Sequence, residues 1–119
     1  VDQFLETTAK DIYAIGDCVS IEGQNMMFIE PLILSVKALA KTLAGERSPV
    51  ALGVLPITVK TPICPVVVVP PQVGSQGSWA IDGEGNNIAA IYHDNTGKMT
   101  GFALTGDKVS LKTELVKNV

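Results

Sequence analysis

The spacing of apolar residues changes between residues 45 and 56, and this change constrains the fold more than any other feature of the sequence. Before it, apolar residues recur at helical intervals, which predicts a helix that begins near Pro31 and stops at Gly45. After it, short apolar runs alternate with turn residues, as in antiparallel strands. The two patterns in succession predict an α+β fold. The helix stripe expected to be buried consists of Leu32, Val36, Leu39, Ala40 and Leu43.

The region after residue 50 carries several candidate strands. Prolines flank the first two of them, which suggests a sheet edge or a bend. Turn-forming clusters separate the last three, which predicts an antiparallel meander, and Trp79 is expected in its core. Asp107 then resembles the N-cap of a C-terminal helix. The candidate strands are Ile57–Thr61, Cys64–Val69, Trp79–Asp82, Ile88–His93 and Met99–Thr105.

A further short strand, Asp11–Cys18, is predicted before the helix. It ends in Gly16 and Asp17, where a glycine would let the backbone approach a ligand and a carboxylate would accept hydrogen bonds from its hydroxyls. Ligands of open α/β sheets lie outside such carboxyl ends. An isolated Gly-Asp pair is more often an ordinary turn, so the residues alone leave both interpretations open.

Composition and charge exclude some classes of binding partner. The chain has 119 residues and a net charge of -3, with 9 basic against 12 acidic side chains. Because no cluster of lysine and arginine is present, nucleic acid and anionic membrane surfaces are not expected as partners. The longest apolar stretch, Val66–Val69, is far short of the roughly 20 residues that span a bilayer. No signal-peptide pattern occurs at the start, so a cytoplasmic location is expected.

The cysteine and histidine content argues against metal and disulfide chemistry. Cys18 and Cys64 are too few and too far apart for a disulfide framework, and His93 is the single histidine. We therefore expect no metal site and two buried structural thiols in a reducing compartment. The first residue is Val1, which suggests a piece of a longer protein.

One longer segment resembles a known motif. Thr7 and Thr8, followed by Asp11-Ile12-Tyr13-Ala14-Ile15-Gly16-Asp17, are similar to the second flavin-binding motif of the FAD-dependent pyridine-nucleotide oxidoreductases. Within that group, Pro56-Ile57-Thr58-Val59-Lys60-Thr61-Pro62-Ile63-Cys64-Pro65 and Gly101-Phe102-Ala103-Leu104-Thr105-Gly106 look like the rubredoxin–NAD(+) reductases. The resemblance covers nearly the whole chain and corresponds to the C-terminal third of such enzymes.

The resemblance implies a two-domain organisation of the chain. Residues 1–49 would be the C-terminal, strand–helix remnant of a Rossmann-like FAD-binding domain. Residues 50–119 would form an α+β domain, a small antiparallel sheet with a C-terminal helix that covers the flavin or docks rubredoxin. NADH would bind a domain absent from this chain, because neither Gly-rich dinucleotide fingerprint occurs here.

The resemblance also implies the residues that contact FAD. Asp17 would accept a hydrogen bond from a ribityl hydroxyl, and Gly16 would allow close backbone approach. Ile29 would offer a backbone N–H to the pyrimidine edge of the flavin, where the positive end of the helix favours the reduced anion. Lys60 would lie beside the ring or help position the acidic surface of rubredoxin. No catalytic residue is expected in this chain.

Three functional hypotheses remain open from the sequence. The first is a C-terminal fragment of a reductase that passes electrons from NADH through FAD to rubredoxin, inactive by itself. The second keeps the flavoprotein and changes the acceptor, for example to ferredoxin. The third is a non-catalytic module for docking an electron carrier or for dimerisation. Because the remnant would lack its neighbouring strands, we expect the fragment to self-associate or to require the missing N-terminal domains.

Overall fold

The computed structural model describes all residues from Val1 to Val119 and consists of two compact units, Val1–Leu55 and Pro56–Val119. The first unit holds one helix, and the second holds a five-stranded sheet and a C-terminal helical segment. The antiparallel sheet expected after residue 50 is therefore confirmed. No helix is long and apolar enough to cross a membrane.

Helix α1 spans Ile29–Leu43, close to the prediction. It begins two residues before Pro31, which is tolerated because the first N–H groups of a helix have no intrahelical acceptor. Gly45 adopts φ +97° and ends the helix as predicted. Its N–H donates to the Thr42 carbonyl while the N–H of Glu46 donates to the Lys41 carbonyl, which is a Schellman motif.

The buried face of α1 differs from the prediction. Within this chain the small residues Ser35 and Ala38, together with Pro31, are buried, whereas the apolar stripe is partly exposed. Leu43 is 67% exposed and Val36 46%. Small side chains allow close approach of the rest of the first unit, and the longer side chains therefore point away from it.

The strand predicted at Asp11–Cys18 is not formed. The prediction of a strand–helix remnant is therefore wrong for its strand. Only one antiparallel bridge remains, between Glu6 and Tyr13, and Ile12 is 57% exposed. A strand exists only where a neighbour supplies hydrogen-bond partners along its length. Here the local backbone bonds are Thr7 N–H to the Ile12 carbonyl and Ala14 N–H to the Leu5 carbonyl.

The second unit is a single antiparallel sheet in the order β1-β2-β5-β4-β3. Prolines predicted an edge or a bend around the first strand, and β1 is indeed an edge strand. The last three strands form the predicted meander, and β2 pairs with β5 through Val66–Thr105 and Val69–Phe102. The strands are β1 Ile57–Val59, β2 Val66–Val69, β3 Gly77–Glu84, β4 Asn87–Asp94 and β5 Met99–Thr105.

Two tight turns close the meander. Strands β3 and β4 extend to Glu84 and Asn87, so the five-residue turn predicted there is reduced to Gly85 and Asn86. In the β4–β5 turn the Asp94 carboxylate accepts hydrogen bonds from the Thr96 hydroxyl, the Thr96 N–H and the Lys98 N–H, at 2.6–3.0 Å. These bonds lower the pKa of Asp94 because they favour its charged form, and the bond from the Thr96 hydroxyl has the largest effect.

The C-terminal helix predicted from Asp107 is shorter and differently capped. A 3-10 segment, Gly106–Leu111, precedes a single α-turn, α2 Lys112–Leu115. Asp107 does not cap it; its N–H donates to the Asn87 side-chain oxygen at 2.8 Å. The segment covers one sheet face, and the core of the second unit lies there. The buried side chains of that face are Val67, Val69, Ala89, Phe102 and Leu104.

Candidate functional site

A narrow cleft in the first unit brings together the end of the flavin-like motif and the start of α1. Gly16 and Asp17 lie on one side of it, and Pro31, Leu32 and Ser35 of α1 lie on the other. Its free volume is about 10 Å³, so the cleft holds at most about one water molecule. The cleft is therefore too small to enclose a large ligand by itself.

Gly16 and Asp17 lie in a turn with open space beside the Gly16 backbone. Gly16 adopts φ +99°, a left-handed conformation that side chains rarely tolerate, and nothing lies within 4 Å of the position that a Cβ would take. The Asn25 amide donates to the backbone carbonyls of Asp17 and Val19, both at 3.0 Å, and holds the loop in place. The Asp17 side chain is exposed and forms no ion pair in the chain.

The N-terminal turn of α1 leaves backbone donors available. Ile29 is its first residue, is 66% exposed, and follows the N-cap Phe28, whose side chain makes no capping hydrogen bond. Uncapped N–H groups at a helix start favour anions and acceptor atoms. A carboxylate that accepts hydroxyls and an uncapped helix start that donates to ring acceptors match the hydroxyl-rich chain and the pyrimidine edge of a flavin. The structure thus places Gly16 and Asp17 beside the helix whose first residue is Ile29.

Lys60 lies in the second unit, directly after β1, with an exposed side chain and no ion pair. Near it, the Thr61 hydroxyl donates to the Cys64 carbonyl, and the Cys64 thiol lies 3.6 Å from the Asn86 carbonyl. These bonds shape the turn between β1 and β2 from which Lys60 projects. Both cysteines are free thiols, but Cys18 is exposed and Cys64 is only half-buried, which corrects the expectation of two buried thiols.

Two surface features lie on or beside β3, and the first of them corrects a prediction. Trp79 is 43% exposed rather than in the core, and it meets the Tyr92 ring edge to face, with centroids 5.1 Å apart. Alternation along β3 could have indicated this, because Ile81 two residues later lies on the same sheet face and is also exposed.

Lys108 forms an ion pair with Asp82 at 2.7 Å and lowers the pKa of that carboxyl.

The fold defines a class: an α+β domain with a small five-stranded antiparallel sheet, preceded in the chain by a unit that holds one helix. The family model described as the rubredoxin binding C-terminal domain matches residues 49–119. The chain belongs to this family.

Similar proteins agree with this assignment along the whole chain. A rubredoxin-NAD(+) reductase of Alcanivorax borkumensis is 47% identical over 99% of the chain, and one of Acinetobacter baylyi is 38% identical over 88%. A nitric oxide reductase FlRd-NAD(+) reductase of Aliivibrio fischeri is 35% identical over 92%. The matches cover 31%, 27% and 29% of these relatives, so the chain spans about a third of their length.

A solved structure supports the fold. The crystal structure of NADH:rubredoxin oxidoreductase from Clostridium acetobutylicum superposes on 99% of this chain with a TM-score of 0.77 and 23% identity, covering 31% of that protein. The five-stranded sheet with short helices is thus the fold of the corresponding region of that enzyme.

Proposed function

We propose that this chain is the C-terminal part of an FAD-dependent NADH:rubredoxin oxidoreductase, which passes electrons from NADH through FAD to rubredoxin. The observation that carries the proposal is the match of residues 49–119 to a rubredoxin binding domain. In this assignment residues 50–119 dock the electron carrier and residues 1–49 complete the FAD-binding domain. The two free thiols fit a reducing compartment, so we place the protein in the cytoplasm.

The FAD contacts rest on the cleft of the first unit. Asp17 would accept a hydrogen bond from the ribityl chain, Gly16 would leave room for it, and the Ile29 N–H would donate to the flavin ring. Support comes from the open space at Gly16 and the uncapped start of α1. These residues would position the cofactor and shape its electrostatics, and the bound cofactor would supply the conversion of a two-electron donor's hydride into single electrons. The 10 Å³ cleft supports the view that the fragment alone retains FAD weakly and is inactive.

Replacing Asp17 tests this assignment in the full-length reductase. Asp17→Ala removes one charge-assisted hydrogen bond, worth about 1.5–3 kcal/mol, so we expect FAD dissociation to become roughly 10- to 100-fold more favourable. Flavin fluorescence on dilution measures the released fraction. Glu46→Ala, which removes an exposed carboxylate that does not line the cleft, serves as the matched control. Equal FAD retention in both variants would contradict a role for Asp17.

Docking of rubredoxin is tested with the chain itself. We expect the 119-residue chain to bind rubredoxin, and Lys60→Glu to weaken the complex about 5- to 10-fold, because reversing one charge at the rim of an interface opposes an acidic partner. Lys98→Glu reverses another lysine charge, in the β4–β5 turn, and is the control. Isothermal titration at two salt concentrations measures both. A folded chain that does not bind rubredoxin overturns the docking assignment, whereas equal weakening by both variants overturns only the role of Lys60.

A different electron acceptor is the second candidate function. Relatives named nitric oxide reductase FlRd-NAD(+) reductase reach 35% identity over the whole chain. The 47% identity to a rubredoxin-NAD(+) reductase favours rubredoxin. Reduction rates of rubredoxin, ferredoxin and the FlRd named for those relatives, measured with the full-length enzyme, distinguish these acceptors.

A further inference from the structure

The two edges of the sheet differ in their protection against pairing with another strand. At one edge β1 has only three residues and is followed by Lys60 and the Thr61-Pro62 step. Short strands, lysine and proline are the usual devices that keep an edge from pairing. At the other edge β3 has eight residues, pairs only with β4, and contains no lysine or proline. Every residue of β3 is exposed, so its outer edge presents unpaired backbone N–H and C=O groups.

Apolar surface lies on both sides of this edge. On one sheet face Trp79 and Ile81 are 43% and 70% exposed. On the other face a groove of about 380 Å³ runs between the sheet and the C-terminal helical segment. A strand added at this edge would therefore gain backbone hydrogen bonds and apolar contacts above and below. The groove is lined by apolar residues, among them Ala80, Ile81, Ala89 and Leu111, and by the acidic residues Asp82 and Glu114.

We propose that β3 pairs with β3 of a second copy of this chain, antiparallel and centred on Ala80, so that two sheets join into one of ten strands. In this register Ala80 lies opposite Ala80 of the second copy, Trp79 opposite Ile81, and Ser78 opposite Asp82. The proposal is independent of the electron acceptor and of flavin binding.

The chemistry of β3 favours a second copy in this register. An antiparallel edge strand is complementary to itself under a two-fold axis. Each outward N–H group of one copy then lies opposite an outward C=O group of the other copy. The register makes two aromatic–β-branched pairs, which stabilise sheets. It also avoids like charges, since Asp82 meets a serine and is already paired with Lys108 at 2.7 Å. Centring the pair on Asp82 instead would oppose two carboxylates.

The expected dimer is weak. A standard stable interface buries about 800 Å² of surface on each partner, and the edge of one eight-residue strand buries less. We therefore expect an equilibrium between monomer and dimer in the micromolar range or above, visible by sedimentation velocity over a concentration series.

Cross-linking tests both the interface and its register. In a chain whose own thiols are removed by Cys18→Ser and Cys64→Ala, Ala80→Cys places two thiols opposite each other. Their Cα atoms would be about 4.5–5.5 Å apart, within disulfide range. The matched control Ser78→Cys puts its two thiols about 14 Å apart at ~3.4 Å per residue, too far to bond. The double variant Ser78→Cys/Asp82→Cys brings opposite thiols together again.

We expect mild oxidation to yield at least about tenfold more disulfide dimer with Ala80→Cys than with Ser78→Cys, because only the first meets disulfide geometry. Ile81→Lys, at an exposed position, should abolish the dimer, whereas Ile33→Lys on the exposed face of α1 should leave it intact. Circular dichroism checks that each variant is folded. Equal cross-linking of the two cysteine variants, a monomer at every concentration, or loss of the dimer in Ile33→Lys alone would each overturn the proposal.

Discussion

Phe102→Ala is expected to destabilise the second unit more than any other single substitution considered. Phe102 is fully buried, in the strand that pairs with both β2 and β4. Truncating a buried phenylalanine costs about 3–5 kcal/mol through lost burial and the cavity left behind. A unit of this size has a free energy of unfolding of roughly 3–10 kcal/mol, so a large share of it is lost. Rubredoxin binding should fall with the folded fraction, since β5 holds the sheet together.

Urea denaturation followed by Trp79 fluorescence measures this loss, because Trp79 lies in the same sheet. Phe102→Leu keeps most of the side-chain volume and should cost about 1.5 kcal/mol or less. Val73→Ala, at a fully exposed position, should change the free energy of unfolding by no more than about 0.5 kcal/mol. An unchanged urea midpoint in Phe102→Ala would contradict the assignment of Phe102 to the centre of the core.

The second large effect is expected at Gly83, near the end of β3. It adopts φ +120°, a conformation that side chains rarely adopt, and an added Cβ would overlap the Asn87 carbonyl across the strand pair. Because both backbone strain and the steric clash oppose a side chain, Gly83→Ala should destabilise the unit by about 2–4 kcal/mol. The β3–β4 hairpin should lose amide protection first, which hydrogen exchange measures residue by residue.

Gly97 provides the matched comparison. It also has a positive φ, of +83°, but nothing lies within 4 Å of its missing Cβ. Gly97→Ala therefore meets the backbone strain without the clash and should cost about 1–2 kcal/mol. If the two variants lose equal stability, the steric contact with Asn87 is not what requires glycine at position 83.

Local sequence determined most of the secondary structure. Helix α1 follows from its apolar spacing, and its end follows from Gly45, whose φ of +97° completes the Schellman motif. Strands β3, β4 and β5 follow from alternation between turn clusters, and β5 was predicted residue for residue at Met99–Thr105. These features depend on contacts between near neighbours, which a local pattern records.

Candidate site residues depend on more than the local pattern. Gly16 and Asp17 could be singled out from a motif, and the structure adds that they share a cleft with α1. Their contact with FAD remains a prediction, as does that of Ile29 and Lys60. The 10 Å³ volume of the cleft could not have been predicted, because it depends on how the Gln24–Met26 loop packs against Pro31 and Ser35.

Tertiary structure alone decided which surfaces are buried. An amphipathic stripe shows that a helix has an apolar face, but Ser35 and Ala38 rather than Val36 and Leu43 are buried, because burial depends on what packs there. The segment Asp11–Cys18 has the composition of a strand, yet it pairs at one residue only, since a strand needs hydrogen-bond partners from elsewhere in the chain. The sequence by itself thus determined the helix, the meander and the family. The pairing of β2 with β5 and the exposure of β3 are long-range properties, which only the folded chain decides.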